Sequence, residues 1–275
     1  MKLQRTIWGF TFILASIIGN QFAWCQRIPE DIPFFQLEDK VADLKQTCVE
    51  IKVPPINSNS TKWAFGTGFL VVRPKILFVV TCNHCTMTAD SVERDTVIVS
   101  LNIEGGKRED VMGVVFARSR GKDAAVLAIK DPKGKPTVKM FGLSRFDTAD
   151  TKNTELRDGA GVVIIGFPLN IGSQEAGKAS LLPVTRIGIV AYHSPNNIDF
   201  LIDGFANPGN SGSPVISARS GNLLGMVKAY KDDTIKVTGE KGKIEDRLIP
   251  TNSGLTVALT AKQIADLIKL AEEGL

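Results

Sequence analysis

The sequence predicts an all-β fold of two six-stranded antiparallel β-barrels, with a short N-terminal α-helix and a second α-helix at the C-terminus. Short apolar segments rich in β-forming residues recur from residue 48 to residue 260 and are separated by turn residues. They form two sets of about six, one on each side of a connector at residues 131–158 that is rich in Pro, Lys, Asp and Thr. With 275 residues, 43% of them hydrophobic and 23% charged, the chain is long and apolar enough to bury such cores.

The two sets of strands define two barrels within one domain, residues 48–275. For barrel 1, at about residues 48–130, the predicted strands are Cys48–Val53, Gly68–Val72, Ile76–Thr81, Thr96–Asn102, Val111–Ala117 and Ala124–Ile129. For barrel 2, at about residues 159–260, they are Gly161–Gly166, Leu182–Tyr192, Asp199–Asp203, Ser213–Ser217, Leu223–Tyr230 and Leu255–Thr260.

Two segments have helical periodicity. In the N-terminal segment, residues 26–47, an extended Pro-containing stretch leads into a predicted helix from Phe35 to Gln46. At the other end, apolar residues at helical spacing predict a helix from Ala261 to Glu273, packed on barrel 2. Thr260 and Gln263 have the spacing of a capping box, in which each side chain bonds the backbone of the other.

The first 25 residues predict an export signal. Lys2 and Arg5 precede an apolar run from Thr6 to Gly19, and small residues follow near Cys25. This run is shorter than the roughly 20 residues that span a bilayer, so we expect no stable membrane span after its removal. The protein is therefore expected to be exported, either periplasmic or secreted. Lipid attachment at Cys25 is an alternative, although Trp24 is bulky for such a site.

Charge and cysteine content exclude several classes of partner. Cleavage at Cys25 removes two basic residues, so the formal net charge of +4 falls to +2, which gives no reason to expect nucleic acid binding. Basic residues such as those at 118–122 are interpreted as solvated loop charges. Cys48, Cys82 and Cys85 then remain, an odd number that cannot all pair internally. Because no second C-x-x-C accompanies Cys82 and Cys85, we expect packing cysteines and no metal or cofactor.

A glycine-flanked serine is the strongest candidate for chemistry. Ser211 lies in Gly209-Asn210-Ser211-Gly212, a turn that runs directly into an apolar strand. The two glycines allow a tight bend in which neighbouring N–H groups converge on one point, as an oxyanion hole requires. The same four residues also suit an ordinary turn, so the interpretation depends on a base and a carboxylate elsewhere.

Suitable partners precede the serine in the chain. His84 follows an apolar strand, and histidine has a pKa suited to a general base. Asp123 heads the apolar strand from Ala124, where a carboxylate needs a donor such as an imidazole N–H. Asp90, Asp95 and Asp110 lie in more polar surroundings and are weaker competitors. The order His, Asp, Ser is that of the chymotrypsin-type triad.

Together these motifs resemble those of trypsin-like serine proteases, and of the HtrA (Deg) branch in particular. The resemblance covers residues 34–272, and its segments are Phe34–Val53, Gly66–Phe69, Thr81–Cys85, Asp123–Leu127, Gly166–Pro168, Thr185–Val190, Asp203–Ser211 and Gly254–Ala258. Ser213 occupies the position of the usual second glycine, as in glutamyl endopeptidases, and Asn210 replaces the aspartate that pairs with a new N-terminus in digestive relatives. Because no sequence follows Leu275, we expect no PDZ domain.

The resemblance implies a role for each matching residue. Ser211 is the nucleophile, His84 the general base and acid, and Asp123 the residue that orients the imidazole, while the N–H groups of Gly209 and Ser211 form the oxyanion hole. The implied substrate-binding residues are Phe205, Asn207, Lys228, Ala229 and Tyr230. Phe205 at the base of the specificity pocket favours a small or medium apolar P1 residue, and Lys228 offers the alternative of an acidic one.

Three functions are consistent with the sequence. The first is an exported, cofactor-free serine endopeptidase that acts on unfolded or flexible protein segments. The second is a binding protein that keeps the protease fold without catalysis. The third is a chaperone-like homo-oligomer, since the segment with Phe34 and Phe35 resembles the part that trimerises relatives.

Overall fold

A computed structural model describes residues 34–274 except residues 57–60, 74–75, 104–106, 131–151, 153, 171–172, 175–180, 195, 197 and 239–243. The predicted export signal, the extended stretch before residue 34 and most of the connector lie outside the described residues. Among the described residues, no helix combines the length and apolar character that crossing a membrane requires. Residues 37–275 belong to one structural unit, which contains both barrels.

Barrel 1 follows helix α1 (Phe34–Lys45). Its strands are β1 (Cys48–Val53), β2 (Ala64–Arg73), β3 (Ile76–Thr81), β4 (Thr96–Ile103), β5 (Lys107–Ser119) and β6 (Ala124–Lys130). They close in the order β1-β2-β3-β6-β5-β4, and every neighbouring pair is antiparallel. Apolar side chains that alternate along these strands, such as Ile51, Val79 and Leu127, fill the interior.

Barrel 2 repeats this architecture. The remaining strands are β7 (Gly161–Gly166), β8 (Ser173–Gln174), β9 (Leu181–Leu182), β10 (Val184–Tyr192), β11 (Asp199–Asp203), β12 (Pro214–Ser217), β13 (Leu223–Thr238) and β14 (Ile244–Thr260). Six of them close in the order β10-β11-β14-β13-β12-β7, and β8 pairs with β9 outside the barrel. Phe200, Ile202 and Leu224 lie in its core. The predicted fold class is therefore confirmed.

The strands differ from prediction mainly in β13 and β14. The prediction ended β13 at Tyr230 and began β14 at Leu255. In the structure the two strands continue as a paired ribbon, in which Asp232 lies opposite Asn252 and Thr238 lies opposite Ile244. The sequence does not predict this ribbon because the region contains turn-forming residues. Two strands can also pair through their backbones without alternating apolar residues. The predicted strand Leu182–Tyr192 is also interrupted, since Pro183 has no N–H to donate.

A third core lies between the barrels and beneath helix α2 (Ala261–Glu273). Phe69 and Val80 of barrel 1 share it with Ile165 and Met226 of barrel 2 and with Ile264 of the helix. The expectation that α2 packs on barrel 2 is therefore correct but incomplete, because its apolar stripe covers the junction of both barrels.

The predicted capping box at the start of α2 is wrong. Thr260 is the N-cap residue, but its side chain makes no capping hydrogen bond. Thr260 is also the last residue of β14, paired with Gly225, and its hydroxyl is buried without a partner in the described part of the chain. The strand thus holds Thr260 in an extended backbone conformation, with φ −71° and ψ 152°.

Replacing Ile264 with alanine is expected to lower the free energy of unfolding by about 2–5 kcal/mol, because it leaves a cavity in the shared core. Ile264 is 1% exposed, whereas Leu270 on the same helix is 59% exposed. Leu270→Ala is the matched control, with an expected change below about 0.5 kcal/mol. Urea unfolding followed by circular dichroism measures both, and equal losses would contradict the packing of α2.

Candidate active site

The first part of the site is built where two neighbouring strands of barrel 1 meet. His84 opens a single 3₁₀ turn just after β3, and Asp123 lies in the turn just before β6. Since β3 and β6 pair through Thr81 and Ala125, both turns lie at the same edge of the barrel. Asp123 has a φ of 53°, a left-handed conformation that aspartate tolerates better than most residues.

Asp123 holds His84 at two points. One carboxylate oxygen, Oδ1, accepts the backbone N–H of His84 at 3.0 Å, and the other, Oδ2, lies 2.7 Å from the ring atom Nδ1. Burial lowers the pKa of His84, but the hydrogen bond to Asp123 and the neighbouring Cys85 more than offset this and raise it above its ordinary value. The arrangement fixes the ring orientation and leaves Nε2 as the nitrogen free of Asp123.

A partly buried arginine on β5 braces the turn that carries His84. Arg118, with a side chain only 15% exposed, donates to Asn83 Oδ1 at 3.1 Å, to Thr86 Oγ1 at 2.5 Å and to the carbonyl of Arg94 at 2.5 Å. Asn83 directly precedes His84, so the guanidinium braces the turn that carries the imidazole. The interpretation of Arg118 as a solvated loop charge is therefore wrong, because Arg118 lies on β5 and its side chain bonds a turn and a loop that are distant in sequence.

The competing carboxylates lie elsewhere. The side chain of Asp95 is 97% exposed and touches Arg118 at 3.5 Å, and Asp110 forms an ion pair with Lys52 at 3.1 Å. Within the described part of the chain, Asp123 is the carboxylate that contacts His84.

The serine turn reaches across from barrel 2. The backbone carbonyl of Ser211 accepts a hydrogen bond from the N–H of Thr67 at 2.8 Å and from the thiol of Cys85 at 3.4 Å. Both donors belong to barrel 1, and Cys85 is the residue after His84. The structure therefore brings the main chain of Ser211 to the turn that carries the histidine.

Close packing explains the glycines around Ser211. Gly209 and Gly212 have φ values of 93° and 87°, a region that other residues avoid. A Cβ atom on Gly212 would lie 1.8 Å from the carbonyl oxygen of Thr67, and one on Gly209 would lie 2.3 Å from that of Phe167. Both positions therefore exclude any side chain.

Replacing Gly212 with alanine is expected to destabilise the protein by more than about 3 kcal/mol, because strain and a backbone clash act together. Gly121→Ala is the matched control, since a Cβ there meets nothing within 4 Å. Thermal unfolding of the two variants tests this expectation. If Gly212→Ala unfolds at the same temperature as the wild type, the serine turn does not have the described backbone conformation.

The hydroxyl of Ser211 does not contact His84 in this conformation. Its Oγ donates to the carbonyl oxygen of Lys228 at 3.3 Å. In the described part of the chain, the side chains of Ser211 and His84 share no hydrogen bond. A serine nucleophile needs its base within hydrogen-bond reach, although such contacts are often loose before substrate binds. A rotation of the Ser211 side chain is therefore required before His84 can take its proton.

Two backbone donors are left open beside Ser211. The carbonyl of Pro208 accepts the N–H of Leu169 at 2.6 Å. Because the N–H and C=O of one peptide point in opposite directions, this bond turns the N–H of Gly209 away from Leu169. Within the described part of the chain, the N–H groups of Gly209 and Ser211 make no hydrogen bond to the protein. They are available to an oxyanion.

Sequence reasoning missed the contribution of Thr67. Its Oγ1 donates to the carbonyl of Gly209 at 2.7 Å and accepts the N–H of Phe167 at 3.0 Å. One side chain thus joins the serine turn to the end of β7. The glycines on either side of Thr67 were the sequence signal for a tightly packed position. A Cβ on Gly66 would lie 2.4 Å from the Cys85 sulfur.

The predicted substrate-binding residues differ in their exposure to solvent. The side chain of Phe205 is 60% exposed, with its ring against Gly254. Asn207 accepts the N–H of Asn210 through its carbonyl at 2.9 Å. Ala229 and Tyr230, which belong to the predicted wall of the specificity pocket, lie on β13. Ala229 is exposed and Tyr230 is half-buried.

Lys228 on that wall already has a partner. Its ammonium group lies 2.9 and 3.1 Å from the two carboxylate oxygens of Asp199 on β11. The side chain of Lys228 is 15% exposed and that of Asp199 is 37% exposed, so this ion pair is only partly shielded from water. The charge of Lys228 is therefore largely neutralised within the protein.

Comparison with known proteins agrees with the two-barrel fold. A family model described as the trypsin-like peptidase domain matches residues 66–226, more than half of the chain, and includes His84, Asp123 and Ser211. No curated protein matches the sequence at a significant level. Among solved structures, the chain is similar to the serine endoprotease from Yersinia pestis, with a TM-score of 0.55 and 17% sequence identity. This match covers 86% of the chain but only 66% of the endoprotease chain, so the likeness supports the fold.

Proposed function

Because the chain belongs to the trypsin-like peptidase domain family, we propose that it is a serine endopeptidase that cleaves unfolded or flexible protein segments. The observation that carries the proposal is the contact of Asp123 with both the backbone N–H and the ring of His84. A carboxylate in this place fixes the imidazole tautomer that a general base needs. No cofactor takes part in the proposed reaction.

The proposed mechanism assigns one role to each residue. Ser211 Oγ turns from the Lys228 carbonyl and attacks the scissile carbonyl carbon, while His84 Nε2 takes its proton. The C–N bond then breaks, and His84 returns the proton to the leaving amine. Water, activated by the same histidine, releases the acyl group from Ser211. Asp123 stabilises the imidazolium formed in both steps.

Backbone donors stabilise the negative charge that develops on the substrate carbonyl. The open N–H groups of Gly209 and Ser211 would supply them, and each donor is typically worth about 3 kcal/mol of the activation barrier. The Pro208–Leu169 and Thr67–Gly209 hydrogen bonds hold the peptide orientation that keeps these groups open. Preorganised donors of this kind need no rearrangement during the reaction.

The specificity surface favours a small or medium apolar P1 residue. Phe205 offers an apolar ring, and the Lys228–Asp199 ion pair leaves little net charge to attract an acidic side chain. A peptide with Val at P1 is expected to be cleaved at least about tenfold faster than matched peptides with Glu or Arg. Chromatographic analysis of the three digests measures this. Preference for Glu would assign Lys228 to substrate, and preference for Arg would contradict the apolar surface.

Export and assembly are further parts of the proposal. Export to the periplasm or to the exterior is supported by the charge and apolar pattern of residues 1–25. Mass spectrometry of the N-terminus of the mature protein would test removal of this segment. Assembly into a homo-oligomer, such as a trimer, would be tested by light scattering.

A fluorophosphonate probe followed by mass spectrometry tests the proposed activity. Labelling of Ser211 alone, lost on unfolding, is expected because only an activated serine reacts with this probe. A folded protein that stays unlabelled and cleaves no peptide would instead favour the second candidate, a binding protein with a protease fold. The hydrogen bond of Ser211 Oγ to Lys228 rather than to His84 is the observation that favours this alternative.

A further inference from the structure

Two thiols and the proposed catalytic imidazole form one cluster. Cys82, His84 and Cys85 each offer one ligand atom, and these three atoms all lie within 4.8 Å of one another. Both cysteines are buried and form no disulfide, whereas the histidine side chain is 46% exposed. The absence of a second cysteine pair predicted packing cysteines that flank a functional histidine, but that reasoning did not count the imidazole as a third ligand.

We propose that Cys82, His84 and Cys85 form a binding site for a thiophilic divalent cation of the Zn²⁺ class, and that the bound ion inhibits the enzyme. Two thiolates and one imidazole are donors that such ions prefer, and three protein ligands leave one tetrahedral position for water. The binding half of the proposal is independent of catalysis, and the inhibition half rests on the proposed function.

The cluster needs only a small contraction to hold an ion. Tetrahedral bonds of about 2.0–2.3 Å to nitrogen and sulfur place neighbouring ligands about 3.3–3.8 Å apart. The observed limit of 4.8 Å therefore calls for shifts of about 1–1.5 Å, which rotation of short side chains can supply. All three ligands belong to one turn, so no other segment has to move.

The two carbonyl groups that accept hydrogen bonds from the thiols each keep a second donor when the thiols lose their protons. Cys82 Sγ donates to the carbonyl of Val227 at 3.1 Å, and Cys85 Sγ donates to that of Ser211 at 3.4 Å. Each carbonyl also accepts a backbone N–H at 2.8 Å, from Gly212 and Thr67 respectively. When two metal–sulfur bonds form, the two thiol protons pass to solvent, and both carbonyls remain hydrogen-bonded.

An ion at this cluster blocks catalysis through either nitrogen of His84. If it takes Nδ1, the hydrogen bond to Asp123 is lost, and with it the orientation of the ring. If it takes Nε2, no lone pair remains to accept the proton of Ser211. Inhibition is therefore expected at the chemical step, and a chelator is expected to reverse it.

Cobalt(II) absorption tests binding without any need for catalysis. Addition of Co²⁺ to the reduced full chain is expected to produce a thiolate charge-transfer band and tetrahedral visible bands, which Zn²⁺ removes. Cys82→Ala/Cys85→Ala is expected to lose both signals, and Cys48→Ala, which alters a buried cysteine elsewhere, is expected to keep them. His84→Ala removes a half-exposed ligand with little risk to folding and is expected to weaken Co²⁺ binding by more than about tenfold.

Fluorophosphonate labelling in the presence of Zn²⁺ tests inhibition. Zn²⁺ is expected to block labelling of the wild type, and the double cysteine variant is expected to need more than about tenfold more Zn²⁺. Equal sensitivity of that variant, absence of a thiolate band, or a Cys82–Cys85 disulfide in protein purified without reductant would each overturn the proposal. If the protein shows the cobalt bands but the fluorophosphonate never labels it, the proposed enzymatic activity is contradicted and the proposed metal site is still supported.

Discussion

Replacing Ser211 with alanine is expected to lower kcat/KM for peptide cleavage by about 10⁶ and to abolish fluorophosphonate labelling. The loss follows because the proposed mechanism forms the acyl bond at this hydroxyl. Stability is expected to change little, since Oγ makes a single long hydrogen bond, 3.3 Å to the carbonyl of Lys228. Peptide hydrolysis and urea unfolding of the same preparation measure both quantities.

Ser213→Ala is the matched control for this experiment. Ser213 lies two residues further along the same turn, and its buried hydroxyl has no hydrogen-bond partner in the described part of the chain. Removing it is expected to leave kcat/KM within about threefold of the wild type, because no interaction is lost. If Ser211→Ala retains activity, or both variants lose it equally, Ser211 is not the nucleophile.

Replacing Asp123 with asparagine is expected to lower kcat by about 10⁴, because an amide cannot stabilise the imidazolium and favours the wrong tautomer. It is also expected to move the acid limb of the pH profile. Asp123 raises the pKa of His84, so the base form of the wild-type histidine is lost as pH falls through this raised value. Without the carboxylate, the largest cause that raises the pKa of His84 is lost while burial still lowers it, so the limb moves to lower pH.

The pH dependence of kcat/KM measures this shift, with Asp90→Asn as the control. Asp90 is exposed in the same barrel, so its replacement is expected to leave both the rate and the acid limb unchanged. Asparagine tolerates the left-handed backbone at residue 123, so the comparison isolates the charge. An unmoved acid limb in Asp123→Asn would show that another group sets the pKa.

Local patterning predicts the barrels well where strands are short and bounded by turn residues. The bounds of β1, β3, β7 and β11 agree with prediction because each strand is a short segment rich in β-forming residues and bounded by turn residues. Backbone pairing beyond the barrel has no such signature, which explains the missed extensions of β13 and β14. The junction under α2 was missed because an apolar stripe does not specify which surface it covers.

The residue types of the site are predictable from sequence, and their side-chain partners are not. His84 and Asp123 meet as their motifs predict, and the Ser211 turn reaches the turn that follows β3. The rotamer of Ser211 depends on a backbone carbonyl 17 residues away, that of Lys228. Likewise, the ion pair of Lys228 with Asp199 and the bracing role of Arg118 depend on tertiary contacts that no sequence spacing indicates.

The division of the site between two barrels has a consequence for partial unfolding. His84 and Asp123 lie on one barrel and Ser211 on the other, joined by hydrogen bonds such as that from Thr67 to Ser211. A sub-global opening that separates the barrels while each keeps its own core therefore dismantles the chemistry completely. Catalytic competence thus reports the integrity of the barrel junction, and it can disappear at denaturant concentrations that leave most secondary structure intact.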